Sequence, residues 1–227
     1  MGLKALIFDV DGTLAETEEL HRQAFNETFA AHGLDWHWSA ADYRQLLRTT
    51  GGKERMARHR EQVGAGPDDA QIAALHKAKT ARYVALVASG AAPLLPGVAD
   101  LIARAQAAGL RLAIATTTTR ANVAALITAS FGRPMEEIFE VIAAGDEVAQ
   151  KKPAPDVYLR ALDLLGLPPE ACLAFEDSRA GLASAQAAGL RVVLTPSAYT
   201  TGDDFSAADY LCIDLTPAAT AGVPNLP

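Results

Sequence analysis

Two carboxylates stand two residues apart at Asp9 and Asp11, at the end of the apolar run Leu3 to Val10 and just before Gly12-Thr13. An apolar run of that length bounded by glycine reads as a strand buried on both faces, and so central in a sheet. Side chains alternate along a strand. Asp9 and Asp11 are therefore sent to the same side, where the strand ends and the crevice of an open α/β sheet lies. Carboxylates that close repel unless a cation sits between them or one keeps its proton. The spacing allows a Mg2+ site, an acid/base pair with separated pKa values, or both. An Asp-Gly turn that merely closes a buried strand is the plain alternative.

Three further polar groups stand where strands are expected to end. Thr116-Thr117-Thr118-Thr119 follows the run Arg111 to Ala115 and precedes a helical pattern. Hydroxyls with free N–H groups at such a junction make a phosphate cradle, or simply an N-cap through Thr118 or Thr119. Lys152 stands in Gln150-Lys151-Lys152-Pro153-Ala154-Pro155, where the stiff prolines lower the entropic cost of fixing it beside a reacting anion; a proline-rich linker with solvated lysines would look the same. Glu176-Asp177-Ser178 closes the run Cys172 to Phe175 and opens another helix, which suits acidic metal ligands or a helix cap.

The elements that must position these groups follow from periodicity. Between Leu14 and about Gly90 the pattern is helical, with helices starting near Thr17, around Tyr43, at Lys53 to Val63 and at Pro67 to Ser89. From Pro93 onward helices and strands alternate: helix 98–108, strand 111–115, helix 120–130, strand 141–144, helix 156–165, strand 172–175, helix 179–188, strand 191–194 and a last strand over 210–213. Repeated βα units mean a parallel sheet with helices on both faces. The expected architecture is an α/β core of residues 1–14 and 92–227, with an all-helical insert of residues 15–91 after the first strand. Gly109, Gly166 and Gly189 stand where left-handed helix ends are needed, and the Thr216–Pro227 tail, without periodicity, is expected to be loosely ordered.

Asp9-Val10-Asp11-Gly12-Thr13, the Thr116 strand end, Lys152-Pro153-Ala154-Pro155-Asp156 and Glu176-Asp177-Ser178-Arg179-Ala180-Gly181 resemble, in order, the four motifs of the haloacid dehalogenase superfamily of phosphohydrolases. The likeness is greatest to its CbbY-like members, which act on small sugar phosphates, xylulose 1,5-bisphosphate among them, and which are related to β-phosphoglucomutases and phosphoglycolate phosphatases. The resemblance implies a Rossmann-like core with the helical insert as a cap. It implies that Asp9 is the nucleophile and Asp11 the general acid/base. Thr116, with the Thr117 backbone, and Lys152 take up phosphoryl charge, and Mg2+ is held by Asp9, the Asp11 carbonyl and Asp177, with Glu176 acting through water. It also places Glu16, Thr17 and His21 facing the cleft.

The cap carries a candidate second-phosphate grip. Arg44 to Arg60 holds six cations with Glu54 as its one acid, a pattern that also fits a solvated helix face. Within it Thr49-Thr50-Gly51-Gly52-Lys53 breaks the helices with a flexible glycine pair. Arg48, Thr50, Gly51, Gly52, Lys53, His76 and Lys79 are the candidate contacts there. Thr118, Arg120 and Asn122 add candidates beyond the threonine run.

A net charge of −7 supplies no cation excess for a nucleic-acid backbone. Cys172 and Cys212, without metal spacing, read as buried thiols of a reducing compartment. No run resembles a signal peptide or a membrane span, so a cytoplasmic monomer with a small phosphorylated sugar as its partner is expected. A dehalogenase would need neither Asp11 nor the second acidic pair. A receiver that only stores a phosphoryl group would not need the insert. A β-phosphoglucomutase-like sugar phosphomutase would keep all four motifs and is the alternative. Within the CbbY-like reading a bisphosphate of the Calvin cycle is the first substrate to try.

Overall fold

The computed structural model describes residues 2–227; Met1, where the expected core range begins, lies outside them. The sheet grows from β1 (Ala5–Phe8), whose four residues are all buried. Leu6 and Phe8 face one apolar cluster, and Ala5 and Ile7 face another. A strand covered on both faces has to be apolar throughout, which is why this run shows no polar alternation.

On either side of β1 lie β2 (Arg111–Ala115) and β4 (Cys172–Glu176), both parallel to it. The sheet extends through β3 (Val141–Ala143) on one edge and β5 (Arg191–Leu194) and β6 (Tyr210–Leu211) on the other. Among the described residues its order is β3-β2-β1-β4-β5-β6, with every pairing parallel. The strand order reverses at β1, so the crevice at its carboxyl end is where an open α/β sheet binds ligands.

Four helices fill the stretch between β1 and the next core helix: α1 (Glu18–Ala31), α2 (Ala40–Leu46), α3 (Gly52–Val63) and α4 (Asp69–Ala88). They bury a cluster of their own around Phe25, Phe29, Trp38, Tyr43, Leu46, Met56, Ile72 and Leu75. Ser39 with Asp42 and Asp68 with Gln71 form capping boxes that start α2 and α4. Tyr83 and Val87, late in α4, join the cluster on the β1 face instead, so this helix ties the insert to the sheet.

The remaining helices cover the sheet: α5 (Val98–Ala107), α6 (Arg120–Phe131), α7 (Asp156–Leu165) and α8 (Arg179–Ala187). Thr119 and Ser178 cap α6 and α8. Both cysteines are free and buried. The expectation of a loose tail is corrected: Leu215, Thr220 and Val223 are buried, the first and last in the cluster beneath α5, because the chain returns to cover that face with turns rather than with a periodic element. No helix among the described residues is long and apolar enough to cross a membrane.

Candidate active site

The carboxyl ends of β1, β2 and β4 converge on one lysine. Lys152 Nζ donates to Asp9 Oδ1 at 2.6 Å, to Glu176 Oε1 at 2.6 Å and to the Ala115 carbonyl at 2.9 Å, one partner from each strand end. The same Glu176 oxygen accepts from the Tyr158 hydroxyl at 2.6 Å, and the Tyr158 ring lies 5.0 Å from Nζ. Asp9, Lys152, Glu176 and Asp177 are all buried. Buried charge is tolerable only when paired and fully hydrogen-bonded, and this network provides that for Lys152.

Electrostatics divide the acids. Burial pushes Asp9 up to about 7, with Lys152 pulling it down and Glu176 pushing it further up. Asp177 is driven well above the usual carboxylate range by burial and by the charges of Asp9 and Glu176. For Lys152 burial acts to lower the pKa, but Asp9 and Glu176 outweigh it and hold the ammonium charged.

Oxygens of Asp9, Glu176 and Asp177 lie within 4.8 Å of one another. Three buried hard-oxygen donors crowded to that degree, with the pKa of Asp177 pushed up by burial and by the charges of its neighbours, fit a small divalent cation. Gly12 has φ +83, and a Cβ there would run into the Asp177 carboxylate, so glycine is what lets the first loop approach this acid. Glu176 is otherwise committed: one oxygen serves Lys152 and Tyr158, and the other accepts from the Asp177 N–H at 3.3 Å.

Asp11 faces the helical layer. Its Oδ1 accepts from the Thr17 hydroxyl at 2.5 Å and from His21 Nε2 at 3.0 Å. Burial acts to raise the pKa of Asp11, but the charge and hydrogen bond of His21, then Thr17 and Lys79, hold it well below the usual range. His21 stacks on Tyr83 with centroids 4.0 Å apart.

These groups line a cavity of about 600 Å3 between the strand ends and the helical layer. Of the sequence-predicted residues, Asp9, Asp11, His21, Arg48, Thr50, Gly51, Gly52, His76, Lys79, Thr117, Thr118, Asn122, Lys152 and Asp177 line it. Thr116 lies just beneath, its Oγ1 accepting from the Thr118 N–H at 3.2 Å, and Asn122 Nδ2 donates to Thr118 Oγ1 at 2.9 Å. His76 is pushed down to about 3 by burial and by the lysines around it.

Four expectations are corrected. Arg120 points away, to Glu147 at 3.4 Å and Glu136 at 3.6 Å, because the first turn of α6 presents it to the outer edge of the sheet. Glu16 accepts from the Ala198 N–H at 2.7 Å, which turns its carboxylate toward the loop after β5 instead of into the cavity. Thr17 is fully buried and touches Asp11, so it can position that acid but not a ligand. Lys53 sits on the exposed side of α3, because the helix phase turns Arg55 and Met56 inward instead.

Sequence reasoning missed Glu18, Tyr43, Arg44, Arg55, Lys151, Tyr158 and Tyr199. Arg55 is buried in the cavity wall, where its Nη1 donates to the Tyr43 hydroxyl at 2.8 Å, which in turn donates to Glu18 at 2.9 Å. Its Nε has no partner, and no carboxylate pairs with it among the described residues. The one signal available was that Arg55 precedes Met56 on the apolar stripe of α3.

The chain matches the haloacid dehalogenase-like hydrolase family over residues 3–189. It is 78% identical to the protein CbbY of Rhodobacter capsulatus over 227 residues, 100% of both chains. The crystal structure of CbbY from Rhodobacter sphaeroides in complex with phosphate aligns with TM-score 0.93 and 55% identity, over 97% of this chain and 99% of that one. A variant of the same protein in complex with xylulose-(1,5)bisphosphate aligns with TM-score 0.92 and 56% identity, over 94% of this chain and 95% of that one.

Proposed function

The chain belongs to the haloacid dehalogenase-like hydrolases, and from that premise we propose that it is a phosphatase that converts xylulose 1,5-bisphosphate to xylulose 5-phosphate through an aspartyl phosphate on Asp9. A phosphatase acting on a sugar phosphate follows from the family and from the bisphosphate bound by the solved relative. A feature of the cavity supports xylulose 1,5-bisphosphate in particular. A single cavity has an acidic, lysine-capped end at Asp9, Asp11, Lys152 and Asp177 and a basic wall at Arg44, Arg48, Arg55 and Lys151, with the neutral His76 among them, which suits an anion with phosphate at both ends.

In the first step an Asp9 carboxylate oxygen forms a bond to phosphorus, the bond from phosphorus to the sugar oxygen breaks, and the leaving alkoxide takes a proton from Asp11. In the second, water attacks the same phosphorus and gives its proton to Asp11; the Asp9–phosphorus bond breaks and phosphate leaves. Held ionised by Thr17 and His21, Asp11 is suited to the second step. For the first, the proton that Asp11 passes to the alkoxide comes from the Lys79 ammonium through His21, the three side chains forming a continuous hydrogen-bonded chain. Lys152 and the donors of Thr116 to Thr118 balance charge on the phosphoryl oxygens.

Asp9, Asp177 and the Asp11 carbonyl would hold Mg2+, and Glu176 keeps Lys152 in place beside them. Bound there, the ion would neutralise the clustered carboxylates and withdraw charge from the phosphoryl group. Residues 15–91 act as the cap that limits water access to the phosphoaspartate.

The test is release of phosphate from a panel of sugar mono- and bisphosphates with Mg2+ present, with sugar-phosphate isomers followed in parallel. Xylulose 1,5-bisphosphate is expected to have the highest kcat/KM. Isomer formation without net phosphate release would overturn the reading in favour of a mutase.

A further inference from the structure

The segment that carries Lys152 joins β3 to α7 without regular structure, yet both of its lysines are bonded to the helical layer. The hydroxyl of Thr50, just ahead of α3, donates to the Lys152 backbone carbonyl. One turn later Glu54 pairs with Lys151 Nζ at 2.9 Å. Gly51 lies between them at φ +90, and a Cβ there would meet both the Glu54 carboxylate and, at 2.6 Å, Lys151 Nζ, so glycine leaves the space this pair occupies. Within its own loop the restraint on this segment is modest: the Ala154 N–H donates to the Lys151 carbonyl at 3.0 Å and the Gln150 N–H to Asp156 at 3.0 Å.

From this juxtaposition, and resting on the reading of Lys152 given above, we propose that Thr50 is a positioning residue for Lys152. Its hydroxyl makes the placement of the lysine that holds Asp9 and Glu176 depend on the helical layer being seated over the site. Lys152 Nζ satisfies three acceptors on three strand ends only if its peptide stands at one place, and a lysine has four side-chain torsions through which a displaced backbone would misdirect it. Thr50 fixes that peptide from the opposite side of the cavity. The Glu54–Lys151 pair, half open to solvent, adds registry rather than much energy. Closure of the cap and correct presentation of the catalytic lysine thereby become one event, and Thr50 acts on the core instead of on the sugar.

The experiment compares Thr50→Val, Thr50→Ala and Thr50→Ser with the parent, using saturating xylulose 1,5-bisphosphate and, separately, p-nitrophenyl phosphate, an aryl ester with no distal phosphate or sugar hydroxyl for a cap residue to hold. Thermal melts check that each variant is folded. For Val and Ala, kcat is expected to fall about tenfold on both substrates with KM changed less than about threefold, and Ser is expected to restore most of the loss. A rise in KM confined to the bisphosphate, with p-nitrophenyl phosphate turnover intact, would make Thr50 a substrate contact and overturn the proposal. So would parental kcat on both substrates. Should the bisphosphate prove not to be a substrate, the aryl phosphate arm still reads Lys152, and the two failures stay distinct.

Discussion

Lys79 Nζ lies 2.6 Å from Nδ1 of His21, and the two residues come from helices 58 positions apart in sequence. As an ammonium Lys79 can only donate, so in that state His21 accepts at Nδ1 and presents Nε2–H to Asp11. The tautomer of the histidine that orients Asp11, the proposed general acid/base, is thus set by a lysine on another helix. Lys79 is itself buried, with the Phe25 ring 4.5 Å and the Tyr83 ring 5.4 Å from its nitrogen, and no carboxylate forms an ion pair with it among the described residues.

Burial pushes Lys79 down to about 7 from the ordinary lysine value of 10.5, while the Asp11 charge pulls the other way. Between those two values the unfolded chain holds a proton that the folded protein has released, so stability from this group rises with pH; below about 7 the burial cost is felt in full. Lys79→Met is expected to raise stability by roughly 1–4 kcal/mol near pH 6.5 and by progressively less toward pH 10, while lowering kcat. Urea melts across that range check it. A gain that does not change with pH would contradict the assignment.

Asp9→Asn keeps the shape of the side chain and an acceptor for Lys152, which retains Glu176 and the Ala115 carbonyl. Turnover is expected to fall by at least about 10⁴-fold, as for loss of a covalent nucleophile, with the melting temperature little changed. Phosphate release comparable to the parent would end the nucleophile assignment.

Arg48 and Arg55 border the cavity, and Lys53 does not. Arg48→Ala and Arg55→Met are expected to raise KM for a sugar bisphosphate about tenfold and for the corresponding monophosphate much less, if each is the charged donor to the distal phosphate that the proposed function requires. Lys53→Ala is expected to change neither. Equal effects on both substrates would remove the distal-phosphate role.

Chelation of divalent metal is expected to abolish activity, with Mg2+ restoring it. Asp177→Asn should raise the Mg2+ concentration needed for half-maximal rate by at least about tenfold. Gly12→Ala should do the same, because its Cβ would displace the Asp177 carboxylate from the cluster and the backbone there is left-handed. Isothermal titration with Mg2+ alone, without substrate, reads both variants; parental affinity would contradict the ligand set.

What could be read along the chain was whatever depends on neighbours in sequence. The apolar run before Asp9, the threonines after Ala115 and the acids after Phe175 mark strand ends by period and composition alone, and parallel βα units bring such ends to one edge of the sheet. The carboxylate cluster and the side of the sheet it occupies were therefore legible before any coordinates. Only the tertiary structure decided which way residues on the helical insert face. Lys53 and Arg55 are two residues apart in one helix and so on different faces of it, but which face turns to solvent and which into the cavity is decided by how α3 packs on its neighbours. The same holds for Arg120 and Glu16, drawn off by partners 27 and 182 positions away, and for Thr50, whose hydroxyl meets Lys152 across 102 residues. Partners at such separations are chosen by how whole elements pack, which no window of sequence contains.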